Sequence, residues 1–211
     1  MTKNKLELIF NYLDEILPNV GTELHYSKDY ELLFAVILSA QTTDVAVNKV
    51  TNVLFSKFKT LEELSEAPIE EIENIIKSIG LFRNKAKNIK ESAKILLLKF
   101  NGVIPSKKED LLTLPGVGVK TANVVRAELF KIPEIAVDTH VFRVAKRLGF
   151  AQLSAKIEDV EQLLRKKIPV ERYILTHHQF IHFGRYVCLA RNPKCKDCKL
   201  ISLCKEPKKN I

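Results

Sequence analysis

Leu114-Pro115-Gly116-Val117-Gly118-Val119-Lys120-Thr121-Ala122 is the stretch where the chain's helical periodicity breaks and then resumes. Two glycines one residue apart allow a tight turn that other residues would strain, and they let a ligand approach the backbone closely. The helix that starts near Lys120 aims its free N–H groups and positive dipole end at this turn, which makes a ready phosphate seat. A Gly-x-Gly by itself usually marks no more than a turn. Flanked by Leu-Pro and Lys-Thr-Ala, between two amphipathic helices, it reads as a helix-hairpin-helix, a motif that grips DNA backbone without reading sequence.

Upstream of this turn the chain reads as helices punctuated by short loops. Leu6, Ile9, Leu13 and Ile16 recur at helical spacing until Pro18. Glu31 to Ala40 is apolar nearly all round, which suits a buried helix, although length alone does not exclude a strand. Thr43 is placed to cap a helix with Val47, Val50 and Leu54 as its inner stripe. Thr60 with Glu63, and Ser106 with Glu109, have capping-box spacing. Pro68 fits a first helical turn and Gly80 the following stop, and Ala86, Ile89, Ala93 and Leu97 stripe a further helix.

Downstream, Pro133 ends the hairpin's second helix, and Asp138 or Thr139 is placed to cap the next one, which runs to Leu148 before Gly149. Val160, Leu163 and Leu164 mark another helix, and Pro169 opens the last long one, reaching about Cys188. No segment alternates between hairpin turns, so the fold class expected is all-α.

Composition narrows the functions. The 211 residues are 46% hydrophobic and 28% charged, enough for a buried core and too apolar for wholesale disorder. A formal charge of +9 suggests a polyanionic partner, either nucleic acid or an acidic membrane surface, unless the source proteome is itself Lys-rich. The longest apolar run, Leu32 to Leu38, is too short to span a bilayer, and Glu7 interrupts any signal-like region. The expectation is an intracellular protein: cytoplasmic, nucleoid-associated and monomeric.

Two residues invite a chemical reading. Lys120 is either one more phosphate-binding cation or an amine nucleophile. At an unperturbed pKa of about 10.4 only about 0.04% of it is neutral at pH 7. Partial burial, a helix N-terminus and neighbouring cations would each raise that fraction. Eighteen residues later, Ile135-Ala136-Val137-Asp138-Thr139-His140 leads an apolar run into an acid at a helix start. Asp138 reads first as an N-cap, a role that fixes its position and is compatible with catalysis.

All four cysteines fall in Cys188-x6-Cys195-x2-Cys198-x5-Cys204. Such clustering in a reducing compartment reads as metal binding before disulfides, and it suits a [4Fe–4S] cluster or a tetrahedral zinc. Zinc ribbons usually join two Cys-x2-Cys pairs, and only one is present here. Arg191, Lys194 and Lys196 lie within the loop. They are either solvated surface or cations held for phosphate contact.

Taken together, Leu38-Ser-Ala-Gln-Thr-Thr-Asp44, Ile79-Gly-Leu-Phe-Arg-Asn-Lys-Ala86, Leu114 to Val125, Ile135 to Arg143 and His182-Phe-Gly-Arg-Tyr186 resemble the endonuclease III family of helix-hairpin-helix DNA glycosylases. The resemblance runs almost the whole length and favours the [4Fe–4S] cluster over zinc, with Cys188, Cys195, Cys198 and Cys204 as ligands. It implies base excision repair of oxidised pyrimidines in double-stranded DNA, with AP lyase cleavage through a lysine Schiff base. Lys120 would be the nucleophile and Asp138 its catalytic partner. Gln41 and Leu81 would enter the duplex where a damaged nucleotide is turned out. The residues themselves, apart from the resemblance, add Gly116, Val117 and Gly118 of the hairpin and Arg191 and Lys194 of the cysteine loop as expected DNA contacts. Val119 stands where the family often has arginine, and Phe82 where it often has tyrosine.

The resemblance also implies two helical lobes. Residues 22–132 would form a helical barrel carrying the hairpin. Residues 1–21 and 133–211 would form the cluster domain, with DNA in the groove between. Two rival readings are an adenine-mismatch glycosylase and a non-enzymatic iron–sulfur DNA-binding or redox-sensing module. Adenine-mismatch relatives lack the hairpin lysine and carry an extra C-terminal domain, whereas this sequence has Lys120 and ends seven residues after Cys204. A pure binder would not require Lys120 and Asp138.

Overall fold

A computed structural model describes residues 2–211. Among them the regular structure is helical throughout, with no strand. Contacts divide the chain into two compact units, Glu23–Ile132 and the chain up to Thr22 with Pro133–Ile211.

The Glu23–Ile132 unit holds α2 (Asp29–Leu38), α3 (Asp44–Lys57), α4 (Leu61–Glu66), α5 (Ile69–Ile76), α6 (Phe82–Phe100), α7 (Lys108–Leu111) and α8 (Val119–Phe130). Helix α2 is its centre. Every residue from Tyr30 to Leu38 is buried, as an apolar circumference requires, and α3, α6 and α8 pack around it. Thr43 caps α3 by accepting from Ala46 N at 3.3 Å, and Val47, Val50 and Leu54 face the core. Thr60 caps α4 in the same way, but the Glu63 carboxylate reaches Lys59 N instead of closing the box on Thr60.

Three local expectations shift. Ser106 does not cap α7: Lys107 occupies that position without a side-chain bond, and Ser106 O accepts from Arg126 Nε instead. In α6 the fully buried fourth residue of the stripe is Leu96, with Leu97 only half-buried. Helix α5 ends at Ile76, and the left-handed residue of the following turn is Leu81, not Gly80.

The other unit comprises α1 (Lys3–Ile16), α9 (Thr139–Arg147), α10 (Ile157–Lys167), a 3-10 turn (Val170–Arg172), α11 (Tyr173–Tyr186) and the cysteine loop. Pro169 thus introduces a 3-10 turn, and the long helix starts at Tyr173. Ile9 and Leu13 of α1 join Val141, Val144, Phe150, Phe180 and Phe183 in one core, with Phe150 and Phe180 edge to face at 5.3 Å. Asp14 of α1 accepts from Arg172 Nη2 and Gln179 Nε2, which ties the first helix to the last.

Candidate nucleic-acid interface and cysteine site

The hairpin is built from its apolar residues outward. Leu114 and Val117 are buried, and Val117 N donates to Leu114 O at 3.1 Å to close the turn. Helix α6 braces it from behind, with Ser92 Oγ donating to Pro115 O at 3.0 Å. Gly116 has φ +82°, and a Cβ there would lie 2.8 Å from Asn88 Nδ2 and 3.1 Å from Ile37 Cγ2. Both the conformation and the space demand glycine. Gly118 differs: its φ is −94° and a Cβ would meet nothing within 4 Å, so its backbone faces open space.

Gly118 is the N-cap of α8, and its carbonyl accepts the first intrahelical bond, from Ala122 N at 2.9 Å. The N–H groups of Val119, Lys120 and Thr121 precede that bond and have no acceptor within the helix. Together with the positive end of the helix dipole they make a terminus chemically suited to an anion. Lys120 stands in this first turn, exposed and not partly buried.

Gln41 and Leu81 share an unexpected feature. Both are exposed and both adopt left-handed backbone, at φ 55° and 59°. Neither residue type favours that region, and each such residue costs about 1–3 kcal/mol unless its surroundings impose it.

In the other unit, Asp138 is the N-cap of α9, and its Oδ1 accepts from Val141 N at 2.6 Å. Its neighbour His140 is held below the ordinary histidine range, chiefly by burial and further by the Arg143 and Arg185 charges, while Asp138 opposes the shift. Arg143 gathers this region. Its guanidinium donates to Cys188 O at 3.0 Å, Gly184 O at 2.7 Å and Thr139 O at 3.4 Å, and meets His140 Nδ1 at 3.2 Å. Arg147, one turn on, reaches Cys188 Sγ at 3.4 Å, Leu189 O at 2.7 Å and Glu206 Oε2 at 2.7 Å. No role for either arginine was legible in the sequence, because their acceptors Cys188 O and Leu189 O lie 45 and 42 residues further along the chain.

Cys188, Cys195, Cys198 and Cys204 are unpaired, half-buried, and line one cavity with Leu148, Phe183 and Leu200. Burial pushes the Cys188 and Cys198 thiols up; the Arg147 guanidinium opposes this at Cys188. Thiols so placed would ionise readily only beside a bound positive charge. Among the described residues no three His, Cys, Asp or Glu side chains converge on a single-ion site. Arg191, Lys194 and Lys196 project from the same loop and are exposed.

Residues 34–170 match the HhH-GPD superfamily of base excision DNA repair proteins. The chain is 46% identical to the endonuclease III of Bacillus subtilis strain 168 over 97% of its own length and 94% of that protein. It is 45% identical to the endonuclease III of Escherichia coli strain K12, over 99% of each. Among solved structures, a trapped covalent intermediate of endonuclease III with DNA superposes with a TM-score of 0.92 at 47% identity, over 98% of this chain and 97% of that one. A thermostable thymine-DNA glycosylase gives 0.81 at 26% identity, over 96% of each chain.

Proposed function

The chain belongs to the endonuclease III family within the HhH-GPD superfamily of base excision DNA repair proteins, and from that premise we propose how its residues divide the chemistry. It is a DNA glycosylase with AP lyase activity, and its partner is duplex DNA. Its substrates are duplexes carrying oxidised pyrimidines or abasic sites. Its place of work is the cytoplasm, at the nucleoid, a reading that the DNA substrate supports. Among the described residues no helix is long and apolar enough to cross a membrane.

The observation that carries this reading is the exposed Lys120 in the first turn of α8, directly after the glycine hairpin. The hairpin amides hold a phosphate, and Gln41 and Leu81 fill the space left by the turned-out nucleotide. The neutral Lys120 amine then attacks the sugar C1′. The glycosidic bond breaks, and the base leaves with its electron pair and takes up a proton. Opening of the ring gives an imine. Loss of the C2′ proton with expulsion of the 3′ phosphate cleaves the strand, and hydrolysis frees the lysine. Asp138, fixed by its cap bond, accepts the lysine proton or stabilises positive charge on the sugar. A duplex with one oxidised pyrimidine tests the assignment. Base release followed by a β-elimination end is expected, and an intact strand would identify a binder without activity.

We further propose that Cys188, Cys195, Cys198 and Cys204 hold a [4Fe–4S] cluster. Four thiols lining one cavity among apolar side chains, with a single Cys-x2-Cys pair where zinc ribbons join two, support a cluster over a tetrahedral zinc. Bound there, the cluster would staple the loop that carries the exposed Arg191 and Lys194, the two cations proposed to contact phosphates. Purified protein should contain about four irons and four sulfides per chain. Stoichiometric zinc without sulfide would reject the cluster.

A further inference from the structure

Lys85 is the fourth residue of α6 and is only 4% exposed, although lysine is rarely buried without partners. Its ammonium donates to Leu38 O at 2.9 Å, Ala40 O at 2.8 Å and Thr42 Oγ1 at 2.9 Å. Those acceptors bracket Gln41. Leu38 is also the last residue of α2, so the cation sits on orphan carbonyls at the negative end of that helix. At the other end of the same residue, Lys85 N donates to Leu81 O at 3.1 Å. One residue is therefore bonded both to the segment carrying Gln41 and to Leu81, two of the exposed left-handed positions of the chain. Burial lowers the Lys85 pKa, and the three acceptors satisfy all three N–H bonds of the charged form.

We infer that Lys85 is a positioning residue: it holds the strained Gln41 and Leu81 loops in register with each other, so that both side chains meet the duplex together when a nucleotide is turned out. The inference rests on the proposed roles of Gln41 and Leu81. The strain fits this role, since a left-handed glutamine persists only where its surroundings impose the conformation. Lys85 supplies that constraint from one side chain. Without it, Gln41 is free to relax and the two loops move independently.

The decisive comparison uses Lys85→Met, which keeps the stem volume and removes the donors. Excision from a fully paired duplex should fall about ten- to a hundredfold, the scale of a positional error of about 1 Å. Lyase cleavage of single-stranded abasic DNA, where no base need be turned out, should change by less than about twofold. The duplex defect should shrink when the damaged base is mismatched, because unpairing then costs less. Equal losses on paired, mismatched and single-stranded substrates, or no loss at all, would overturn the inference. If Lys85→Met does not fold, Thr42→Val decides. It removes one of three acceptors and should cost about two- to fivefold on the paired duplex only, and wild-type behaviour would overturn the inference equally. Wild-type protein that cleaves neither substrate would reject the proposed function itself, whatever the variants do.

Discussion

Asp138 caps a helix and is proposed to act in catalysis, two roles that a single substitution separates. Its Oδ1 caps α9 by accepting from Val141 N. Asparagine caps about as well, so Asp138→Asn should keep thermal stability within about 1 kcal/mol of wild type. It cannot accept a proton or balance a cationic sugar as a carboxylate does. Turnover on an oxidised-base duplex should therefore fall by about a hundredfold or more, with DNA affinity retained. Near-normal turnover would leave Asp138 as a cap alone. The cap itself was legible from an acid that follows an apolar run. The left-handed conformations of Gln41 and Leu81 were not, because no glycine or asparagine marks them. Lys85 was equally hidden: a lysine in an amphipathic helix reads as solvent-facing until its acceptors, more than forty positions earlier, are placed beside it.

The hairpin and its two helices make a sharper test than either glycine does alone. Gly116→Ala must accommodate φ +82° and press on Asn88 and Ile37, so a loss of about 2 kcal/mol in denaturant unfolding is expected. Gly118→Ala meets open space at φ −94° and should leave stability unchanged or slightly raised. It nevertheless puts a methyl where a DNA phosphate would approach the α8 terminus, so affinity for duplex should drop. Normal binding by Gly118→Ala would sink the idea of close backbone approach. Elements with a strong stripe and a side-chain cap, such as α3, were readable residue by residue. Helix α7 was not: it is a single turn with no side-chain cap, and its N-cap is Lys107, one residue past Ser106. The 3-10 start before α11 was also invisible, since Pro169 is compatible with either helix type.

For the molecule as a whole, the net charge of +9 favours a polyanionic partner, and the cysteine loop is proposed to add phosphate contacts. The proposed cluster, with about two net negative charges, would leave roughly +7, still enough to favour a polyanion. Affinity for undamaged duplex should fall steeply with salt. Lys194→Ala should weaken binding broadly and flatten the logarithmic salt slope by up to about one unit. An unchanged slope would assign Lys194 to solvated surface. The all-helical class was legible because long 3.6-residue stripes leave no room for strands. That the first helix shares a core with the chain's last third was implied by family resemblance alone, since the contacts joining Ile9 and Leu13 to Phe183 span most of the sequence. Everything proposed here for the reaction passes through a covalent bond between Lys120 and the sugar. Borohydride reduction of a mixture with abasic duplex should fix that bond as a protein–DNA adduct visible by denaturing electrophoresis. Lys120→Gln should bind the same duplex, yet give neither adduct nor strand cleavage. A normal adduct yield from Lys120→Gln on saturated DNA would show that another group is the nucleophile and that Lys120 only anchors phosphate.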